Sequence, residues 1–385
     1  MSVKLWTVHF MRICIANLLL FVSLYMLFPV LSVEMADRLG VPVAQTGVIF
    51  LFFTLGMFLV GPFHAYLVDV YKRKTVCVLS LALMMAATAG YALVTGMAEL
   101  ILLSTVQGAA FGIATTAGIT LAIDVTNSTL RSAGNVNFSR LARFGMILGI
   151  ILGVWLYKSY SFLNLLSVSV VIGAVGILVA MGVYVPFRAP IVTRLFSFDR
   201  FLLLRGWIPA VNAILVMFIP GLLIPLVPHS SLNDSVFGNT EIPLPLFAGV
   251  EVGYLLSLCL VRLLSMKERI LRLGIIGIGL EILALSLLNT VPVVIPSVLL
   301  GIGLGLVMPE FLVMFVKLSH HCQRGTANTT CLLASEAGVS LGIATACCLD
   351  ADISRMLHIG EITASVALVL FVVVTYPYYI RKKVR

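Results

Sequence analysis

Charge is scarce in this chain. Of its 385 residues only 11% are Asp, Glu, Lys or Arg, against 61% hydrophobic. A soluble domain carries about 25% charged residues, so the surplus of apolar sequence has to face lipid. Histidine is rare, with six copies, and no Ser-His-Asp set falls at one membrane depth. The seven cysteines lack paired spacing, which excludes a disulfide framework. There is no P-loop, which argues against an ATP-driven pump. The Gly301-x-Gly303-x-Gly305 run sits inside an apolar helix with no strand before it, so it reads as packing and not as a nucleotide site. His320-His321-Cys322 has no second cluster to complete a four-ligand metal site. No metal and no cofactor are expected. The first apolar run is too long for a signal-peptide core, so no cleaved leader is expected.

What the chain has is long apolar runs. A membrane-crossing helix needs about 20 such residues. Runs of that length fall near 9–33, 44–68, 75–95, 98–124, 136–157 and 162–186, and again near 205–227, 243–264, 271–289, 292–316, 326–348 and 360–380. The fold expected is therefore an all-α membrane protein of twelve transmembrane helices. Residues 1–187 would form one six-helix bundle, 188–204 a cytoplasmic linker and 205–385 a second bundle. Basic residues test the count, because short cytoplasmic loops are rich in Lys and Arg. With both termini cytoplasmic, all 25 Lys and Arg except Arg38, Lys158 and Arg355 fall on the inner side. The net charge of +9 is then a basic inner face against anionic lipid, and no nucleic-acid partner is implied.

The two halves repeat each other at an offset of 193 residues. Arg131-Ser-Ala-Gly-Asn135 matches Arg324-Gly-Thr-Ala-Asn328, and eight residues beyond each Asn stand Arg143 and Glu336. Gly145 and Gly149 then match Gly338 and Gly342, and Gly108 and Gly112 match Gly301 and Gly305. Both copies start on the same membrane side, so the repeat is parallel. Such transporters place substrate between the halves near the midplane and rock one half against the other.

Residues 61–74 read Gly-Pro-Phe-His-Ala-Tyr-Leu-Val-Asp-Val-Tyr-Lys-Arg-Lys. This resembles the loop signature of the major facilitator superfamily, Gly-x-Leu-x-Asp-Arg-x-Gly-Arg-Arg, with Leu67, Asp69, Arg73 and Lys74 matching. Ala65, Val70 and Lys72 depart from it. The resemblance implies a latch in which Asp69, Arg73 and Asp124 pair and hold the cytoplasmic side closed. The helix carrying Gly145-x-x-x-Gly149-Ile150-x-x-Gly153 is similar to the family's antiporter motif, with Ile150 at the motif's Pro. Close helix packing through small residues accounts for these glycines by itself. Gln107-Gly108 matches another family motif, but Ser104 stands where that motif has Arg.

Ionisable groups at membrane depth cost about 2.5–3.5 kcal/mol each on insertion scales. Arg143 and Glu336 lie about 15 Å along their helices at 1.5 Å per residue. Pseudo-symmetry puts them on corresponding faces, where they are expected to pair across a cavity or to bind substrate and proton. Glu251 and Glu310 stand as cavity or structural acids, and Glu281 as a structural one. Asn17, Tyr25, Gln107 and Asn212 are embedded polar groups for substrate or for neighbouring helices. The function expected is a monomeric secondary transporter in a bacterial inner membrane. Its partners are a small-molecule substrate, protons and the lipid bilayer, and its favoured task is proton-coupled efflux of an amphiphilic drug or metabolite. The alternatives are a nutrient or organic-anion uptake permease and, from other classes, a polytopic membrane enzyme or a non-transporting receptor.

Overall fold

The computed structural model describes residues 5–185, 194–226, 243–263, 269–288, 290–320, 323–349 and 352–383. Lys4, Arg188, Lys267, His321, Cys322, Arg385 and the first part of the expected linker lie outside them. Among the described residues there is no strand, and twelve helices are long and apolar enough to cross a membrane. They are α1 (Val8–Tyr25), α2 (Val43–Val70), α3 (Arg73–Leu93), α4 (Met97–Asp124), α5 (Arg131–Ser159) and α6 (Phe162–Met181), then α7 (Trp207–Leu223), α8 (Pro243–Leu263), α9 (Arg269–Leu287), α10 (Val294–Leu318), α11 (Arg324–Cys348) and α12 (Ile353–Lys382). Helices satisfy their own backbone N–H and C=O groups, as a lipid environment requires.

Local chemistry sets where several of them stop. Thr7, Ser161 and Asp352 cap α1, α6 and α12 through their side-chain oxygens. The first span is shorter than its apolar run. Pro29 has no N–H to bond the Tyr25 carbonyl and its ring crowds that carbonyl, so α1 ends at Tyr25. A separate short helix, Leu31–Leu39, follows, and Gly40 closes it in the left-handed region at φ 65°. Near the end of α12 the helix widens into a π segment, Phe371–Thr375, just before Pro377. A π bulge accommodates the carbonyl that proline cannot bond.

Packing follows the sequence repeat. In the first half α1 lies on α5 and α6, α2 on α4, and α3 on α4 and α6. Advancing every label by six gives the second half: α7 on α11 and α12, α8 on α10, and α9 on α10 and α12. The halves meet through α2 against α11 and α5 against α8, again related by the same shift. Small residues make the tight crossings. A Cβ on Gly108 would strike the Phe53 backbone of α2, and one on its repeat mate Gly301 would strike the Val250 backbone of α8. Leu79, Leu102, Leu178, Val369 and Val373 are more than half exposed, which marks the lipid-facing surface.

One end of the bundle is basic. It carries the 71–74 loop, residues 194–205, the start of α1 and the end of α12: Arg12 of α1 bonds the Gly182 carbonyl past α6, and Tyr378 of α12 bonds the Arg205 carbonyl before α7. On the opposite face the halves are fastened by α11. Thr54 of α2 donates to Ser340 at 2.8 Å, and Cys347 reaches Ser32 at 3.6 Å.

Candidate functional site

Arg131 starts α5 and Arg324 starts α11, so Arg143 and Glu336 each lie twelve residues in, about 18 Å from a helix end. The α5 glycines bring that helix onto α1. A Cβ at Gly145 would stand 2.7 Å from the Leu18 carbonyl, and one at Gly149 2.6 Å from the Val22 carbonyl and 3.1 Å from Tyr25 Cβ. A Cβ at Gly153 would meet the Met26 backbone. Gly338 and Gly342 repeat the arrangement between α11 and α7, against Ile214 and Phe218. Close contact between α1 and α5 seats Tyr25 beside Arg143.

Three side chains from three helices then converge. Arg143 Nη1 lies 3.0 Å from Glu336 Oε1. Tyr25 donates its hydroxyl to the other carboxylate oxygen, Oε2. Arg143 is 6% exposed, Glu336 1% and Tyr25 0%. Both carboxylate oxygens are thus engaged inside the protein, and the ion pair joins one half of the molecule to the other. A charge at this depth is tolerable only with such partners.

Below the cluster, toward the basic face, lies a small cavity of about 40 Å³. Asn17, Asn135, Arg143, Tyr254, Asn328 and Ser335 line it, with Phe21, Phe138, Met308 and Leu312 as apolar wall. Asn17 donates to the Phe138 carbonyl at 3.2 Å. A larger cavity of about 530 Å³ follows at the basic face, and Ile119 and Asn135 border both. Its wall comes from α2, the start of α3, α4, α5, α11 and residues 199–201. Arg73 bonds Asp124 at 2.5 Å and Asp69 at 3.3 Å. Arg200 adds a second cation to Asp69 at 2.7 Å. Phe201 packs its ring on Gly61 and sits edge-on to His64. Leu203 N–H donates to Thr330 and Thr326 donates to the Arg200 carbonyl, so this segment ties α2 to the start of α11.

Four sequence candidates, each expected either at the cavity or as a structural group, border neither of these cavities. Gln107 accepts from Tyr91 and donates to Thr88, both at 2.9 Å, and so binds α4 to α3. Asn212 donates to Ala367 and Thr375 and binds α7 to α12. Glu310 takes Arg269, at 2.8 Å, and locks α10 to the start of α9. Glu251 borders neither cavity, and its carboxylate has no hydrogen-bond partner among the described residues. Glu281 is fully buried between α9 and α10, beside Gly303. Gln107, Asn212 and Glu310 thus bond sideways to the nearest helix, as lone polar groups in a membrane commonly do. The site also holds residues not singled out from sequence. Asn135 and Asn328 were signalled by the repeat, whereas Arg200, Phe201 and Tyr254 had no pattern to mark them. No cluster of three metal-ligating side chains occurs among the described residues.

Comparisons with known proteins agree with this architecture. The sequence profile described as Major Facilitator Superfamily matches residues 13–343. Among solved structures, the crystal structure of a mutant of the nucleoside transporter NupG superposes with a TM-score of 0.69 over 94% of this chain and 99% of that one, at 15% identity. At that identity the likeness speaks for the fold. No curated protein sequence matches the chain. Twelve lipid-length helices, a twofold-repeated packing scheme and a profile match across most of the length make it a secondary transporter and not an enzyme: the chain belongs to the Major Facilitator Superfamily.

Proposed function

We propose that the protein is a proton-coupled exporter of a small amphiphilic solute. It works as a monomer in a bacterial cytoplasmic membrane, with the basic face toward the cytoplasm. The single observation that carries this reading is the Arg143–Glu336 ion pair, 3.0 Å long, joining repeat-related positions of the two halves above the cavities. Substrate enters from the basic face, and the bundles of residues 1–187 and 205–385 rock about the α2–α11 and α5–α8 contacts. Protonation of Glu336 leaves a neutral acid beside a guanidinium that keeps its charge at any physiological pH. Losing one partner of a buried pair costs about 3–5 kcal/mol, which is enough to shift a two-state equilibrium by about two to nearly four powers of ten. A membrane potential adds about 2.3 kcal/mol per charge per 100 mV. The latch of Asp69, Arg73 and Asp124 and the 199–203 segment hold the inner ends of the helices in this state. The inner wall of Phe21, Phe138, Met308 and Leu312 beside three Asn amides suits a molecule with an apolar body and a polar end.

A second reading, uptake of a hydrogen-bonding nutrient, is favoured by those amides of Asn17, Asn135 and Asn328. Flux in proteoliposomes separates the two. A thermal-shift screen first identifies a ligand, and an imposed pH gradient then drives it. Export coupling predicts accumulation on the side corresponding to the outer face, and Glu336→Gln abolishes the response to the gradient. Coupling that survives Glu336→Gln would sink the proposal.

A further inference from the structure

The larger cavity holds two cations that neither the ion pair nor the latch uses. Arg131 opens α5, Arg324 opens α11, and both line the cavity wall. They occupy equivalent places in the repeat. Neither makes an ion pair or a side-chain hydrogen bond among the described residues, and Arg131 Nε is buried without a partner. Of the other charges on the wall, Arg73 holds Asp69 and Asp124 and Arg200 holds Asp69, while Asp199 accepts from Ser197 and keeps its negative charge, so the four arginines outnumber the three carboxylates by one.

The backbone contributes chiefly at α11, because the 3-10 turn Ser128–Leu130 runs directly into α5. The N-cap residues, Leu130 and Gln323, make no side-chain cap bond. The first-turn N–H groups of a helix have no intrahelical acceptor, and they concentrate partial positive charge. Gly325 leaves the backbone bare, with nothing within 4 Å of where its Cβ would stand. A third donor or acceptor is also unused. His64, 2% exposed on the same wall, is satisfied at Nδ1 by Thr116 but has no partner at Nε2. A volume of about 530 Å³ lies within the range of small-molecule sites.

The geometry points to an oxyanion site: a carboxylate or phosphate group seated in this cavity by Arg131 and Arg324, the open first turn of α11 at Gly325, and His64. Guanidinium groups match both oxyanions with paired N–H donors. An anion here draws one half toward the other through its charge, since each arginine belongs to a different half. The inference rests on the transporter reading and names its substrate class: the polar end of the amphiphile is an oxyanion.

The test uses the full chain purified in detergent, with benzoate and inorganic phosphate as probes and chloride at matched ionic strength. The unfolding temperature is followed against anion concentration. The expected result is a saturable rise with benzoate or phosphate beyond that with chloride, and an apparent Kd at least tenfold weaker in Arg131→Gln and in Arg324→Gln. Both arginines are only partly buried, and Arg131→Lys and Arg324→Lys, which keep the charge, recover part of the affinity. A rise no larger than with chloride, or one unchanged in the double Gln variant, overturns the site. Nanodiscs separate the sources of the anion. A solute anion stabilises the protein equally in phosphatidylcholine and phosphatidylglycerol discs. If phosphatidylglycerol stabilises by itself and the probes then add nothing, the occupant is a lipid headgroup and the substrate assignment falls. None of these outcomes bears on Glu336, whose coupling is judged separately by pH-driven flux.

Discussion

Removing either partner of the Arg143–Glu336 pair should not cost the same. Glu336→Gln leaves Arg143 buried at 6% exposure with no compensating charge. A guanidinium cannot discard its proton, so the penalty for an unpaired buried charge falls due in full, about 3–5 kcal/mol. Arg143→Met leaves a carboxyl group, which can neutralise itself by binding a proton while still accepting from Tyr25. Its cost should be about half as large. Replacing both, as Arg143→Met with Glu336→Leu, removes both charges and should recover most of the loss. An unfolding entropy of about 2.1 cal/mol/K per residue, over 385 residues, makes 3–5 kcal/mol a shift of about 4–6 °C for Glu336→Gln. The assay is thermal unfolding of the four proteins side by side in one detergent at neutral pH. The reasoning is refuted if Arg143→Met is the more damaging single change. It is equally refuted if the double variant loses the sum of the two singles, because charges that touch must couple.

The other predictions concern the frame around this pair. Gly149→Ala would place a methyl 2.6 Å from the Val22 carbonyl and against Tyr25, and overpacking of this kind costs about 1–3 kcal/mol; unfolding temperature and pH-driven flux should fall together. Around Arg73, the Asp124 side chain is 3% exposed and that of Asp69 16%, so Asp124→Asn should destabilise more than Asp69→Asn when both are compared by denaturation. Arg269→Ala strands Glu310, whose side chain is 3% exposed, and should lower the unfolding temperature while leaving anion stabilisation intact. Ser32→Cys would set a thiol beside Cys347, since Ser32 Oγ and Cys347 Sγ are 3.6 Å apart across the halves; oxidation should arrest flux and reductant should restore it, as followed in proteoliposomes.

The twelve spans, their repeat and the equal depth of Arg143 and Glu336 are all legible in the linear chain. Each rests on a requirement that acts along one dimension: a lipid-length apolar run, a fixed offset, a count of residues from a helix start. The break after Tyr25 is not among them: the apolar run continues through Pro29 and reads as one span, 9–33, whereas α1 ends at Tyr25. The rotation of each helix about its own axis is not legible in the same way. These helices are apolar all round, so no polar stripe tells which way a residue faces. Gln107 turned to α3 and Asn212 to α12, while Tyr25 turned to Glu336. Arg200 and Phe201 lie in a segment with no periodicity at all, and only its docking between α2 and α11 gave them a place. Sequence alone therefore determined how many helices cross, in what order and at what depth each charge lies. Tertiary packing decided which side chains meet, because glycine contacts such as Gly149 on Val22 set helix rotation, and no regularity along the chain encodes that angle.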